Sequence, residues 1–170
     1  MSREREPGIS TKLTHIADDG SPHIVNISRK PSTHRVAQAH GWIELSQETL
    51  DVIEQGDVHK GDVLSIAKLA GICGSKKTSD IIPLCHPIPI DSVSVSLQIQ
   101  RPRGVYIVAE VCNDWKTGVE MEAMMAVTSA ALTVYDMVKA IQKDASITDI
   151  SLAYKEGGKS GVFGTKVLAT

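Results

Sequence analysis

The chain has 170 residues, 42% of them hydrophobic, with 18 basic and 20 acidic side chains and a formal charge of -2. That length suits one domain with its own core, and the near-neutral balance excludes an overall field that would gather nucleic acid or an anionic membrane, so any anion site must be local. Three cysteines form no CxxC pair and leave one over in any disulfide scheme, which suits a reducing, cytoplasmic setting.

The opening "MSREREPGISTK" mixes both charge signs and has no apolar core, so it reads as neither a signal nor a transit peptide. Residues 1–12 are expected to be a flexible start and 13–170 a single domain. "HRVAQAHGWIEL" reads as a strand, and "SQETLDVIEQG" as a short helix running from a Ser46 cap to a Gly56 stop. In "VHKGDV", His59 and Lys60 precede Gly61 and a helix start, where backbone N–H groups and the dipole favour an anion. A solvated loop lysine is the plainer alternative, and both readings stand. "DVLSIAKLAGICG" is a second helix with Val63, Ile66, Ala67 and Ala70 on one side.

"SDIIPLCHPIPID" sets three prolines around adjacent Cys85 and His86. Each proline pushes the residue before it toward extended geometry, so His86 is aimed by its backbone. The segment is either a rigid strand entry or a site wall. "DSVSVSLQIQ" alternates Val93, Val95, Leu97 and Ile99 with polar residues, "RPRG" turns the chain, and "VYIVAEVC" returns with Val105, Ile107, Ala109 and Val111, which makes a hairpin.

From Thr117 the period changes. Thr117 and Glu120 match a capping box, and a helix over 118–143 would span roughly 39 Å. Apolar residues on nearly every face of it suggest oligomer contacts. Asp136 and Lys139 interrupt that apolar run, as an i,i+3 ion pair or as site groups. Glu122 and Asp136 lie on one slowly drifting polar stripe but roughly 21 Å apart by helical rise, so either a long substrate follows the helix or different subunits complete one site. "ITDISLAYK" is a strand, "EGGKSG" a loop and "VFGTKVLA" a final strand. The order β, helices, β, β, helix, β is that of a ferredoxin-like α+β fold, a βαββαβ core with an antiparallel sheet, one long helix and added terminal strands.

Other chemistries fit poorly. "YKEGGKSG" lacks the first Walker glycine, because Ala153 stands there, and a strand follows Ser160 rather than a helix. Its glycines still suit an N–H nest flanked by Lys155 and Lys159, or simply a glycine-rich hairpin. Cys85 with His86 lacks further ligands at chelating spacing, so no metal is expected. Six scattered aromatics outside any basic stripe argue against nucleic acid. No apolar run approaches the roughly 18 to 20 residues that a membrane span needs.

The blocks "HKGDV", "KKTSDIIPLCHPI", "TGVEMEA", "ALTVYDMVKA" and "GGKSG" together closely resemble the molybdenum cofactor biosynthesis protein C family, the cyclic pyranopterin monophosphate synthases, and the similarity runs from about Leu13 to the last strand. The resemblance implies a lyase that converts 3′,8-cyclo-7,8-dihydro-GTP to cyclic pyranopterin monophosphate with release of pyrophosphate. It also implies a homo-hexamer, a trimer of dimers, with sites at subunit interfaces. No resident cofactor is implied, and Mg2+ accompanying the triphosphate is left open.

Carried over by position, Lys60, His86, Asp136 and Lys139 are the expected catalytic residues. Leu84, Cys85, His86, Met121, Glu122, Lys155 and Arg35 are the expected substrate contacts by the same resemblance, and Lys159 joins them as a loop cation that a triphosphate would need. Lys60 and Lys139 would form an acid/base pair if cations and burial lower their pKa, with Asp136 orienting Lys139. His86 would hydrogen-bond the substrate, while Cys85 packs or offers its backbone. A non-catalytic binding module is the rival reading, since fold alone does not give function.

Overall fold

The computed structural model describes residues 14–56 and 62–168. Residues 1–13, 57–61 and 169–170, and with them the expected flexible start, His59 and Lys60, lie outside the described residues.

The elements are β1 (Thr33–Glu44), α1 (Gln47–Gln55), α2 (Val63–Ser75), α3 (Thr78–Ile81), β2 (Ser92–Gln100), β3 (Gly104–Trp115), α4 (Glu120–Val138), β4 (Ser146–Glu156) and the short β5 (Phe163–Gly164). The sheet has the order β2-β3-β1-β4-β5, and every pairing in it is antiparallel. Without β5 this is the ferredoxin-like arrangement that the element order predicts. The alternating apolar residues explain it: Val105, Ile107, Ala109 and Val111 are wholly buried on the face that meets α2 and α4.

Four details depart from the sequence expectations. The helix expected over 118–143 is Glu120–Val138, because Ile141 and Gln142 both turn back onto the Val138 carbonyl. No capping box forms: the N-cap is Val119 without a side-chain cap, and Glu120 turns to Lys155 instead. Ile66 is 38% exposed, and the buried stripe of α2 is Val63, Ala67, Gly71 and Ser75. Small residues win that face because α2 sits so close to α4 that a Cβ on Gly74 would lie 2.0 Å from Ser129 Oγ. The expected final strand is reduced to Phe163–Gly164, since the Val167 N–H is taken by the Gln38 side chain at 2.6 Å.

The topology divides the molecule into two ends. Strands β1 and β2 are both antiparallel to β3 and hence parallel to each other. The helix that returns from β1 therefore runs opposite to the one that returns from β3. The C-terminus of α2 and the N-terminus of α4 thus share one end of the sheet with Arg35, Trp115 and Glu156, which are brought together by strand register. The C-terminus of α4 lies at the opposite end, with Glu44 and Ser146.

Candidate active site

At the first end, the proline-rich segment leads into β2 as a braced wall. Asn113, wholly buried, donates from Nδ2 to the Pro89 carbonyl at 3.1 Å. Asp91 N–H donates to the Cys112 carbonyl at 3.0 Å, and Asp91 Oδ2 accepts from Asp114 N–H at 2.7 Å. Proline removes backbone donors from this stretch, so its carbonyls and flanking groups must be satisfied from β3. The ring of His86 is held in turn by its Nε2 contact with the Val25 carbonyl at 2.8 Å.

That wall and the first turn of α4 enclose a cavity of about 180 Å³. Leu84, Cys85, His86, Met121 and Glu122 all line it, so the two sequence segments expected to contact substrate do converge. Glu122 is 4% exposed, and burial, with the Glu120 charge nearby, pushes its carboxyl up to about 7. Such a group can hold or release a proton near neutral pH. Burial, and then the Glu122 charge, push the Cys85 thiol up. A thiol kept protonated is a poor nucleophile, consistent with packing or a backbone role.

Next to this pocket, and sharing Thr117, Gly118 and Glu120 with it, is a larger cavity of about 520 Å³. Its walls carry Lys30, Arg35, Lys116, Lys155 and Lys159, a local cation excess that the total charge of the chain conceals. Arg35 is aimed by donating from Nε to the Trp115 carbonyl at 3.0 Å and from Nη2 to the Lys116 carbonyl at 3.3 Å. Gly158, at φ 73°, allows the loop after β4 to close on that guanidinium, since a Cβ there would meet Nη1 at 2.3 Å. Lys155 Nζ donates to Glu120 Oε1 at 2.9 Å. The capping role assigned to Glu120 from sequence hid this; a separation of 35 positions between the two partners leaves no local signal.

Asp136 and Lys139 are elsewhere. They form an i,i+3 ion pair of 2.8 Å at the far end of α4, each side chain more than half exposed. The bond and charge of Asp136 raise the Lys139 pKa. The lowered value that an acid/base lysine would want is therefore not produced within one subunit. Of the cavity residues missed by sequence reasoning, His15, Lys30 and Lys116 lie in no periodic segment. No group of three or more His, Cys, Asp or Glu that could hold a metal occurs among the described residues, and no described helix is long and apolar enough to cross a membrane.

A family model described as the MoaC family matches residues 24–158. A protein of Cereibacter sphaeroides is 53% identical over 152 residues, covering 89% of this chain and 96% of that protein. One from Dinoroseobacter shibae is 54% identical over 153 residues, with 89% and 96% covered. One from a Jannaschia species is 51% identical over 154 residues, with 89% and 94% covered. All three carry the name cyclic pyranopterin monophosphate synthase.

Proposed function

The chain belongs to the MoaC family, and from that premise we propose that it is a cyclic pyranopterin monophosphate synthase, a lyase of molybdenum cofactor biosynthesis. It converts 3′,8-cyclo-7,8-dihydro-GTP to cyclic pyranopterin monophosphate and releases pyrophosphate. The observation that carries this reading is the continuity of a five-cation cavity with a smaller pocket holding a buried carboxyl and an imidazole. A triphosphate requires the first, and proton transfer during ring opening requires the second.

In this reading Arg35, Lys155 and Lys159 hold phosphate oxygens, with or without an accompanying Mg2+, and stabilise the charge that develops as pyrophosphate leaves. Leu84, Cys85, His86, Met121 and Glu122 hold the ring system. Lys60 and Lys139 exchange protons with the substrate, and Asp136 orients Lys139.

Glu122 and Asp136 are separated by roughly 21 Å of helical rise, too far for one small reacting group. We therefore place each site between subunits, with the Asp136 end of one meeting the pocket end of another in a hexameric trimer of dimers. The chain's free cysteines and its small nucleotide substrate suit work in the cytoplasm.

The test is single-turnover pyrophosphate release from freshly prepared 3′,8-cyclo-7,8-dihydro-GTP by the intact protein, Lys60→Ala and Lys139→Ala. Release by the intact protein and its loss in both variants, with assembly unchanged, is expected. Tight binding by the intact protein without release would instead identify a binding module.

A further inference from the structure

The segment before β1 contributes more to the site than its irregular sequence suggests. The His23 N–H donates to the His15 carbonyl at 2.9 Å, and Ile16 bridges to Pro22, so residues 15–23 fold as a tight turn. That turn places His15 on the wall of the small pocket. Further on, Lys116 Nζ donates to the Ser28 carbonyl at 3.0 Å, and Lys30 lines the cationic cavity. Between these anchors lies Val25, whose carbonyl meets His86 Nε2 at 2.8 Å.

We propose that this N-terminal strap fixes His86 as its Nε2–H tautomer, so that the ring offers Nδ1 to the substrate as a hydrogen-bond acceptor. A carbonyl oxygen has no proton to give, so the bond to Val25 exists only when Nε2 carries one. In the neutral imidazole the other nitrogen then has the lone pair. The same second-partner logic sets the tautomer of histidines that bind metals or act as bases. The backbone keeps the ring from turning away, because Pro87 restricts His86 and Asn113 pins the Pro89 carbonyl. The pocket thereby gains a matched pair: Glu122, which is able to carry a proton, and His86 Nδ1, which accepts one in a hydrogen bond. The ligand this pair suits is one that presents ring N–H or hydroxyl donors. The identity of that ligand rests on the proposed function, but the tautomer does not.

The experiment is long-range proton–nitrogen NMR on the full chain with ring-labelled histidine, at alkaline pH, with the His86 signals assigned by their loss in His86→Asn. A pyrrole-type Nε2 and a pyridine-type Nδ1 are expected. An Nδ1–H ring, or averaging of the two forms, would overturn the inference. Turnover supplies a second readout, because an asparagine amide reaches the Nδ1 position and a glutamine amide the Nε2 position. Single-turnover release by His86→Asn should exceed that of His86→Gln by about tenfold, the size of one hydrogen bond. Equal loss in both would count against Nδ1 as the substrate contact. An Nε2–H ring in a protein that releases no pyrophosphate would sink the synthase reading and leave the tautomer standing. Release from a protein with an Nδ1–H ring would do the reverse.

Discussion

At the scale of single residues, Glu122 stands out among the described residues as an ionisable side chain that is buried. Burial pushes its carboxyl up to about 7, against 4.5 for a glutamate in water. Between those values the folded chain binds the extra proton, so this group's contribution to stability is complete below the lower value and is lost as pH rises through the upper one. Glu122→Gln, which cannot charge, should therefore flatten the fall in stability between about pH 4.5 and 7. At the alkaline end it should stabilise the chain by up to about 3 kcal/mol. Denaturant melts of the two proteins across that range check this. The same variant should lose turnover, so stability and activity move in opposite directions, as expected where a strained group is kept for its chemistry. A melt profile identical to that of the intact chain would mean that Glu122 is not a buried titrating group.

At the scale of elements, the contact of α2 with α4 positions the pocket, because each helix carries one wall to the same end of the sheet. Gly71 and Gly74 make the contact close: a Cβ on Gly71 would lie 2.9 Å from the Ala126 carbonyl oxygen. Gly74→Ala gains helix propensity of about 1 kcal/mol but must push Ser129 aside, a cost of about 1 to 3 kcal/mol that outweighs it. A net loss of stability is expected, and pairing the change with Ser129→Gly should recover part of it in a double-mutant cycle. Additive effects would show that the two side-chain positions do not meet. The crowding explains why Ile66 faces outward although the 3.6-residue pattern admits it to the buried side. Periodicity registers which residues are apolar, whereas the interhelical distance decides which apolar residues fit.

At the scale of the whole molecule, a cation-lined pocket end and an ion-paired Asp136–Lys139 end are held apart by α4. If sites form between subunits, two variants defective at opposite ends should complement each other. Glu122→Gln and Asp136→Asn, each inactive alone, should after mixed refolding recover about a quarter of the intact turnover, the chance that both halves of a site are undamaged. No recovery from assemblies shown to be mixed would put both residues in one subunit's site or would remove one of them from the chemistry. Burial of Lys139 beside a neighbour's cations would also reverse the upward shift that Asp136 imposes on it in one subunit.

The sequence by itself determined strands β1 to β4, their order and the inward faces of β2 and β3, but not the shortening of the last strand to Phe163–Gly164. Period-two alternation and proline or glycine punctuation are local signals, and few sheet topologies accommodate β, helices, β, β, helix, β. It also determined family membership, and with it Leu84, Cys85, His86, Met121 and Glu122, which the fold does bring to one pocket. Tertiary structure alone decided the rest. The Glu120–Lys155 pair joins the start of α4 to the end of β4, the strap delivers the Val25 carbonyl across 61 positions to His86, and Lys30 and Lys116 reach the cationic cavity from irregular segments. None of these leaves a spacing to read, because they depend on where the chain returns in space. Likewise, charge composition shows only a near-neutral total, while chain folding gathers Lys30, Arg35, Lys116, Lys155 and Lys159 around one cavity.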